Sequence, residues 1–182
     1  SPDGRTSNLG EIVTDKAAQG KAKVSTQMQT FSLLVTAEPY FAVRIPSELI
    51  ILENEVLKNT KGKIFNVDKY PLMKRGHYQK LANPLALTLD LKSQPLDLYE
   101  ARNAVAIAKA NGADKYASEI YGKAESSLKM AENALISKAD RKQVVSTARQ
   151  TVQFSQDALT LATQRQEEEA LGFLRELYDF ST

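Results

Sequence analysis

Apolar and polar positions follow two different periods along this chain, and the change falls near residue 93. Before it the dominant period is two. Lys21 to Thr26 alternates roughly, Phe31 to Thr36 is a β-branched and aromatic run, and Leu49 to Leu52 is a short apolar run. Lys63 to Val67 alternates again, and from Leu85 to Leu91 the four Leu point one way while Ala86, Thr88 and Asp90 point the other. Such a pattern predicts strands. Turn signals separate the runs: Asp15 to Gly20, Glu38-Pro39, Ile45-Pro46, Lys61-Gly62, Tyr70-Pro71 and Asn83-Pro84. Short strands divided by turns predict an antiparallel sandwich or partial barrel.

After residue 93 the period is helical. Pro95 and Asp97 open a first helix through Leu98, Ala101, Ala104, Val105 and Ala108, and Asn111-Gly112 closes it. A second helix runs from about Asp114 to Ile136, with Ala117, Ile120, Ala124, Ser127, Ala131 and Ala134 spaced by three and four. Asp140 is placed to cap a third, whose stripe is Val145, Ala148, Val152, Ser155, Leu159 and Ala162. Two such stripes joined by a short break predict an antiparallel hairpin whose small seam residues let the helices approach closely. At roughly 1.5 Å per residue, helices of about 25 residues make an arm near 40 Å long.

Composition supports the division. Residues 1–93 hold 13 basic and 9 acidic residues and five of the six prolines, whereas 94–182 hold 11 basic and 13 acidic. The expected fold class is therefore α+β: an antiparallel β-sandwich-like module over 1–93, then an elongated helical hairpin or three-helix bundle over 94–182. Ser1-Pro2-Asp3-Gly4 is a strong turn sequence with no strand before it. It implies that the module continues upstream or that a partner supplies the missing strand, either of which leaves a sheet edge open.

Several kinds of chemistry are excluded early. The 182 residues include no Cys, no Trp and one His, His77. Disulfides, thiolate metal sites, cysteine nucleophiles and His-pair mechanisms are thereby removed, and no cofactor or metal is expected. A net charge of +2 gives no reason to expect a nucleic-acid partner. The apolar runs are too short for a transmembrane segment, and no signal peptide opens the sequence, so any targeting segment would lie outside it. His77 follows Lys74 and Arg75, which keep its imidazole neutral near pH 7. It reads as a surface or strand-edge residue.

Three groups remain as candidates. Lys58, Lys61, Lys63, Lys69, Lys74, Arg75 and Lys80 oppose a single acid, Asp68, and interleave with Phe65, Tyr70 and Tyr78. They would suit an anionic glycan or lipid, although a lysine-studded edge hairpin is the plainer reading. Glu38, Glu48, Glu53 and Glu55 flank apolar runs, but nothing in their spacing fixes a catalytic carboxylate pair, and Lys61-Gly62-Lys63 is no phosphate loop. In the tail, polar Gln164 to Glu169 precedes Leu171, Phe173, Leu174, Leu177, Tyr178 and Phe180. Leu171, Leu174, Leu177 and Tyr178 share a helical face that would bind a protein partner or a second copy. The plainer alternative is a segment folded back onto the bundle.

The stretch from Ala101 to Leu135, with its Ala101, Ala104 and Ala108 helix, Gly112-Ala113 turn and Tyr116-Ala117, Tyr121, Ala124, Leu128, Ala131 series, continues through Gln143 to Ala162. It resembles an uncharacterised bacterial envelope family of alanine-rich helical hairpins, often found before OmpA-like peptidoglycan-binding domains. The segments Leu9 to Val13 and Phe31 to Asn54 look like the β-sandwich that precedes such hairpins, itself similar to the extracytoplasmic domain of certain anti-sigma factors. The resemblance implies a non-enzymatic, periplasmic or envelope-associated bacterial protein with a helical spacer arm and cell-wall or protein contacts. It carries over no catalytic residue, and the chain shows no OmpA-like domain.

Overall fold

The computed structural model describes residues 1, 3–15, 17–65, 72 and 90–180. The chain forms two compact units, Ser1–Gln79 and Lys80–Thr182. The protein is α+β; the described residues form one small antiparallel sheet and a predominance of helix.

In the first unit, β1 (Leu34–Thr36) pairs antiparallel with β2 (Ile50–Glu53), Leu34 opposite Glu53 and Thr36 opposite Ile50. A bulge between Val35 and Thr36 shifts the register. Backbone bonds continue the ladder at both ends, from Ala37 N–H to the Leu49 carbonyl and from Asn54 N–H to the Leu33 carbonyl. The loop between the strands is fastened by one carboxylate. Glu38 accepts from the Ser47 N–H at 2.7 Å and the Thr36 hydroxyl at 2.5 Å, while the Ser47 hydroxyl donates to the Ala37 carbonyl. Pro39, Tyr40, Val43 and Ser47 are buried in this loop. The Asn8 amide donates to the carbonyls of Phe41 and Val43, both at 2.8 Å, which ties the N-terminal segment to this loop.

A sandwich is not formed. Two sheets must face each other across an apolar layer, and the described residues contain a single two-stranded sheet whose Ile51 and Leu52 are 59% and 65% exposed. Lys21 to Thr26, exposed except at the half-buried Thr26, has no strand pairing, because its alternation brings only Val24 as a sizeable apolar residue. Lys63 to Phe65 is likewise not in a strand. Asn66, Val67 and the Leu85 to Leu89 part of the last expected strand lie outside the described residues. The turn expected at the N-terminus is present, with Gly4 N–H donating to the Ser1 carbonyl at 3.0 Å.

The second unit is a three-helix bundle. Helix α1 (Leu96–Ala110) follows Pro95, whose extended backbone and missing N–H suit a helix entry, and it carries Asp97 in its first turn and Lys109 in its last. It buries Leu98, Ala101, Ala104, Val105, Ile107 and Ala108. Gly112, at φ +81°, ends it in the left-handed conformation that glycine adopts without strain. One turn, α2 (Ala113–Tyr116), reverses the chain, and the non-helical backbone of Ala117 separates it from α3 (Ser118–Ile136). At the end of α3, Ala139 N–H reaches back to the Ala134 carbonyl and Lys138 N–H to that of Leu135, with Lys138 at φ +55°. That is a Schellman closure with a lysine where glycine is usual. Asp140 then caps α4 (Arg141–Phe180), its side chain accepting from the Lys142 N–H at 3.2 Å.

Cross-helix bonds set the directions. Ser127 of α3 meets Thr147 and Thr151 of α4, and Tyr116 meets Arg165 and Glu169, so α3 and α4 are antiparallel. Asp97 pairs with Arg149 and the Asn111 carbonyl with Gln166, so α1 runs parallel to α4. Helix α4 thus packs on both other helices. Its buried face, Val144, Ala148, Thr151, Val152, Ser155, Gln156, Ala158, Leu159 and Ala162, is wider than a hairpin stripe for that reason. Val144 is buried where the hairpin pattern favoured Val145.

Candidate functional site

The feature that distinguishes the second unit is the length of α4. Its 40 residues span about 60 Å at 1.5 Å per residue, whereas α1 has 15 residues and α3 has 19. The bundle ends at a compact polar cluster. Gln166 Nε2 donates to the Asn111 carbonyl at 2.7 Å, Arg165 to the Tyr116 carbonyl at 2.5 Å, and the Tyr116 hydroxyl to Glu169 at 2.6 Å. Lys115 donates to the same hydroxyl at 2.9 Å, and that bond raises its pKa. Past this cluster α4 continues as helix, and every residue from Glu167 to Phe180 is exposed.

Leu171, Phe173, Leu174, Leu177, Tyr178 and Phe180 therefore stand on a helical overhang, with Phe173 62%, Leu177 52% and Phe180 96% exposed. The alternative of a tail folded back onto the bundle is overturned. No break occurs at the polar Gln164 to Glu169 run, because strong helix formers carry the helix through it. The expected face of Leu171, Leu174, Leu177 and Tyr178 is only part of the surface. The buried series Ala148, Val152, Ser155, Leu159, Ala162 continues at the same three-to-four spacing through Gln166, Ala170, Phe173, Leu177 and Phe180. Counting on from Ala162 across the half-buried Gln166 would have shown this continuity from sequence.

The basic group is divided. Lys58, Lys61 and Lys63 are exposed in an irregular segment, where Leu57 and Thr60 exchange hydrogen bonds and Lys63 Nζ lies 4.8 Å from the Phe65 ring centre. Lys69, Lys74, Arg75 and Lys80 lie outside the described residues, as does His77. Of the four carboxylates, Glu38 holds the β1–β2 loop together, and Glu48, Glu53 and Glu55 are exposed.

Two tyrosines are electrostatically distinctive. Burial, with Glu38 nearby, pushes the Tyr40 phenol well above its usual range. Burial and the hydrogen bond to Glu125 do the same for Tyr121. Both read as packing residues. Among the described residues there is no metal-binding cluster of His, Asp or Glu, and no helix is long and apolar enough to cross a membrane. Compared with known proteins, the chain matches no family model, no curated protein and no solved structure.

Proposed function

We propose that this is a non-enzymatic interaction protein of the bacterial envelope, in which the helical unit acts as a spacer that presents an apolar docking surface at the end of α4. The overhang carries this reading. A run of large apolar side chains held in water costs about 1.5–3 kcal/mol apiece relative to burial, and clustered exposure of that kind marks interaction sites. The envelope setting rests on the resemblance of residues 101–162 to alanine-rich envelope hairpins. Contact of an anionic glycan or lipid with the exposed Lys58, Lys61 and Lys63 is the alternative reading.

The test is to change Phe173, Leu174 and Leu177 one at a time to Asp. Residues that serve docking contribute little to the fold, so the melting temperature of dilute protein stays unchanged. A marked fall would mean that these side chains are buried in solution, and the docking reading would fail. Fractionation that finds the whole protein in the cytoplasm would remove the envelope setting.

A further inference from the structure

We infer that the docking partner of the α4 overhang is a second copy of this chain, with the two overhangs lying antiparallel. The inference rests on the docking reading above and adds the identity and direction of the occupant.

The seam of the overhang is Ala170, Phe173, Leu177 and Phe180. Its spacings are three, four and three, which read the same in both directions about residue 175. Two helices related by a twofold axis at that point bring Phe173 of each copy opposite Leu177 of the other. They also bring Ala170, the smallest seam residue, opposite Phe180, one of the two largest. Every seam residue thus meets an apolar neighbour, and small faces large, as layers of an antiparallel coiled coil require. An isologous contact of this kind closes on itself and leaves no open end.

The lengths agree with this arrangement. Ala170 is the first residue past the cluster formed by Asn111, Tyr116, Arg165, Gln166 and Glu169. Phe180 of the second copy therefore reaches the bundle end without passing it. The seam also continues, in the same phase, the interface that α4 makes with α1 and α3 inside the bundle. The second copy takes up the inward face of α4 where its own partner helices stop.

The six large side chains of the overhang offer on the order of 800 Å² per copy, similar to the share each partner contributes to a standard interface. Antiparallel pairing covers the seam and brings Leu174 of each copy together on one flank, while Leu171 and Tyr178 stay at the edge. The covered part is below the full area, so the dimer is weak and exchanging. On the opposite flank Glu176 of the two copies approach each other, a like-charge pair that weakens the contact further.

Sedimentation equilibrium of the intact chain, from low micromolar to millimolar concentration, reads the association. A monomer–dimer equilibrium is expected. Phe173→Asp or Leu177→Asp should weaken it at least about tenfold, equivalent to about 1.4 kcal/mol. Glu176→Gln and added salt should strengthen it. Because the sequence contains no Cys, single-cysteine variants report direction: Leu174→Cys should cross-link to itself through a short bis-maleimide and Ala170→Cys should not. Efficient self-linking of Ala170→Cys would indicate parallel pairing and overturn the antiparallel arrangement. A chain that remains monomeric throughout overturns the second copy as occupant. If the aspartate variants keep the dilute melting temperature in that case, the docking surface itself stands and its partner is a different protein.

Discussion

Thr151 on α4 donates its hydroxyl proton to Ser127 on α3 across 2.9 Å, with both side chains buried. Each hydroxyl also lies within bonding distance of the Thr147 carbonyl, at 3.0 and 3.2 Å. The pair fixes the axial register of two helices whose buried faces otherwise include Ala124, Ala131, Ala134, Ala148, Ala158 and Ala162. Alanine stripes pack closely but interchange with little cost, whereas an unpaired buried hydroxyl is expensive. Thr151→Val, which keeps the shape, should cost about 0.5–1.5 kcal/mol in urea denaturation. No loss of stability would mean that Ala packing alone sets the register.

Close approach of the helices gives a second expectation. Ala131 and Ala148 are completely buried. Replacing either with Leu should cost about 1–3 kcal/mol by overpacking. An unchanged melting temperature would show that the bundle has room there.

The two helix closures predict opposite signs. Gly112 is left-handed, and a Cβ there would lie 3.0 Å from Gln166 Nε2 and 3.3 Å from the Tyr116 ring. Gly112→Ala should destabilise the bundle by about 1–2 kcal/mol. Lys138 occupies the same conformation with a side chain in solvent. Lys138→Gly should stabilise by up to about 1 kcal/mol. Thermal melts of the two variants, moving in opposite directions from the parent, check both.

Alkaline pH tests the buried phenols. The folded-state pKa of Tyr40 and of Tyr121 is raised by burial above the unfolded value of about 10. Protonated phenol is the form both folded sites favour. Their contribution to stability is therefore fully present below about pH 10 and is lost as pH rises from there towards the folded pKa. Tyr121→Phe should blunt the alkaline fall, read by denaturation at a series of pH values. A decline as steep in the variant as in the parent would assign it to other groups.

The local grammar of the helical unit was already present in the residues. Pro95, Gly112 and Asp140 mark helix boundaries through backbone rules that act within a few residues, and the Ala124, Ser127, Ala131 spacing marks a buried face. The strands were less legible. Phe31 to Thr36 and Leu49 to Leu52 correspond to β1 and β2, but the alternation at Lys21 to Thr26 did not yield a strand, since a strand exists only where another chain segment completes its hydrogen bonds. Amphipathic pattern told which side of α4 is apolar, and tertiary structure decided how much of it is covered. Leu159 and Leu177 look alike in sequence, yet Leu159 is buried and Leu177 exposed. The difference arises because α1 and α3 end at the Asn111–Tyr116 cluster while α4 runs on. Where neighbouring helices stop is a property of the packed unit, and it turns one continuous stripe into a core at one end and a docking surface at the other.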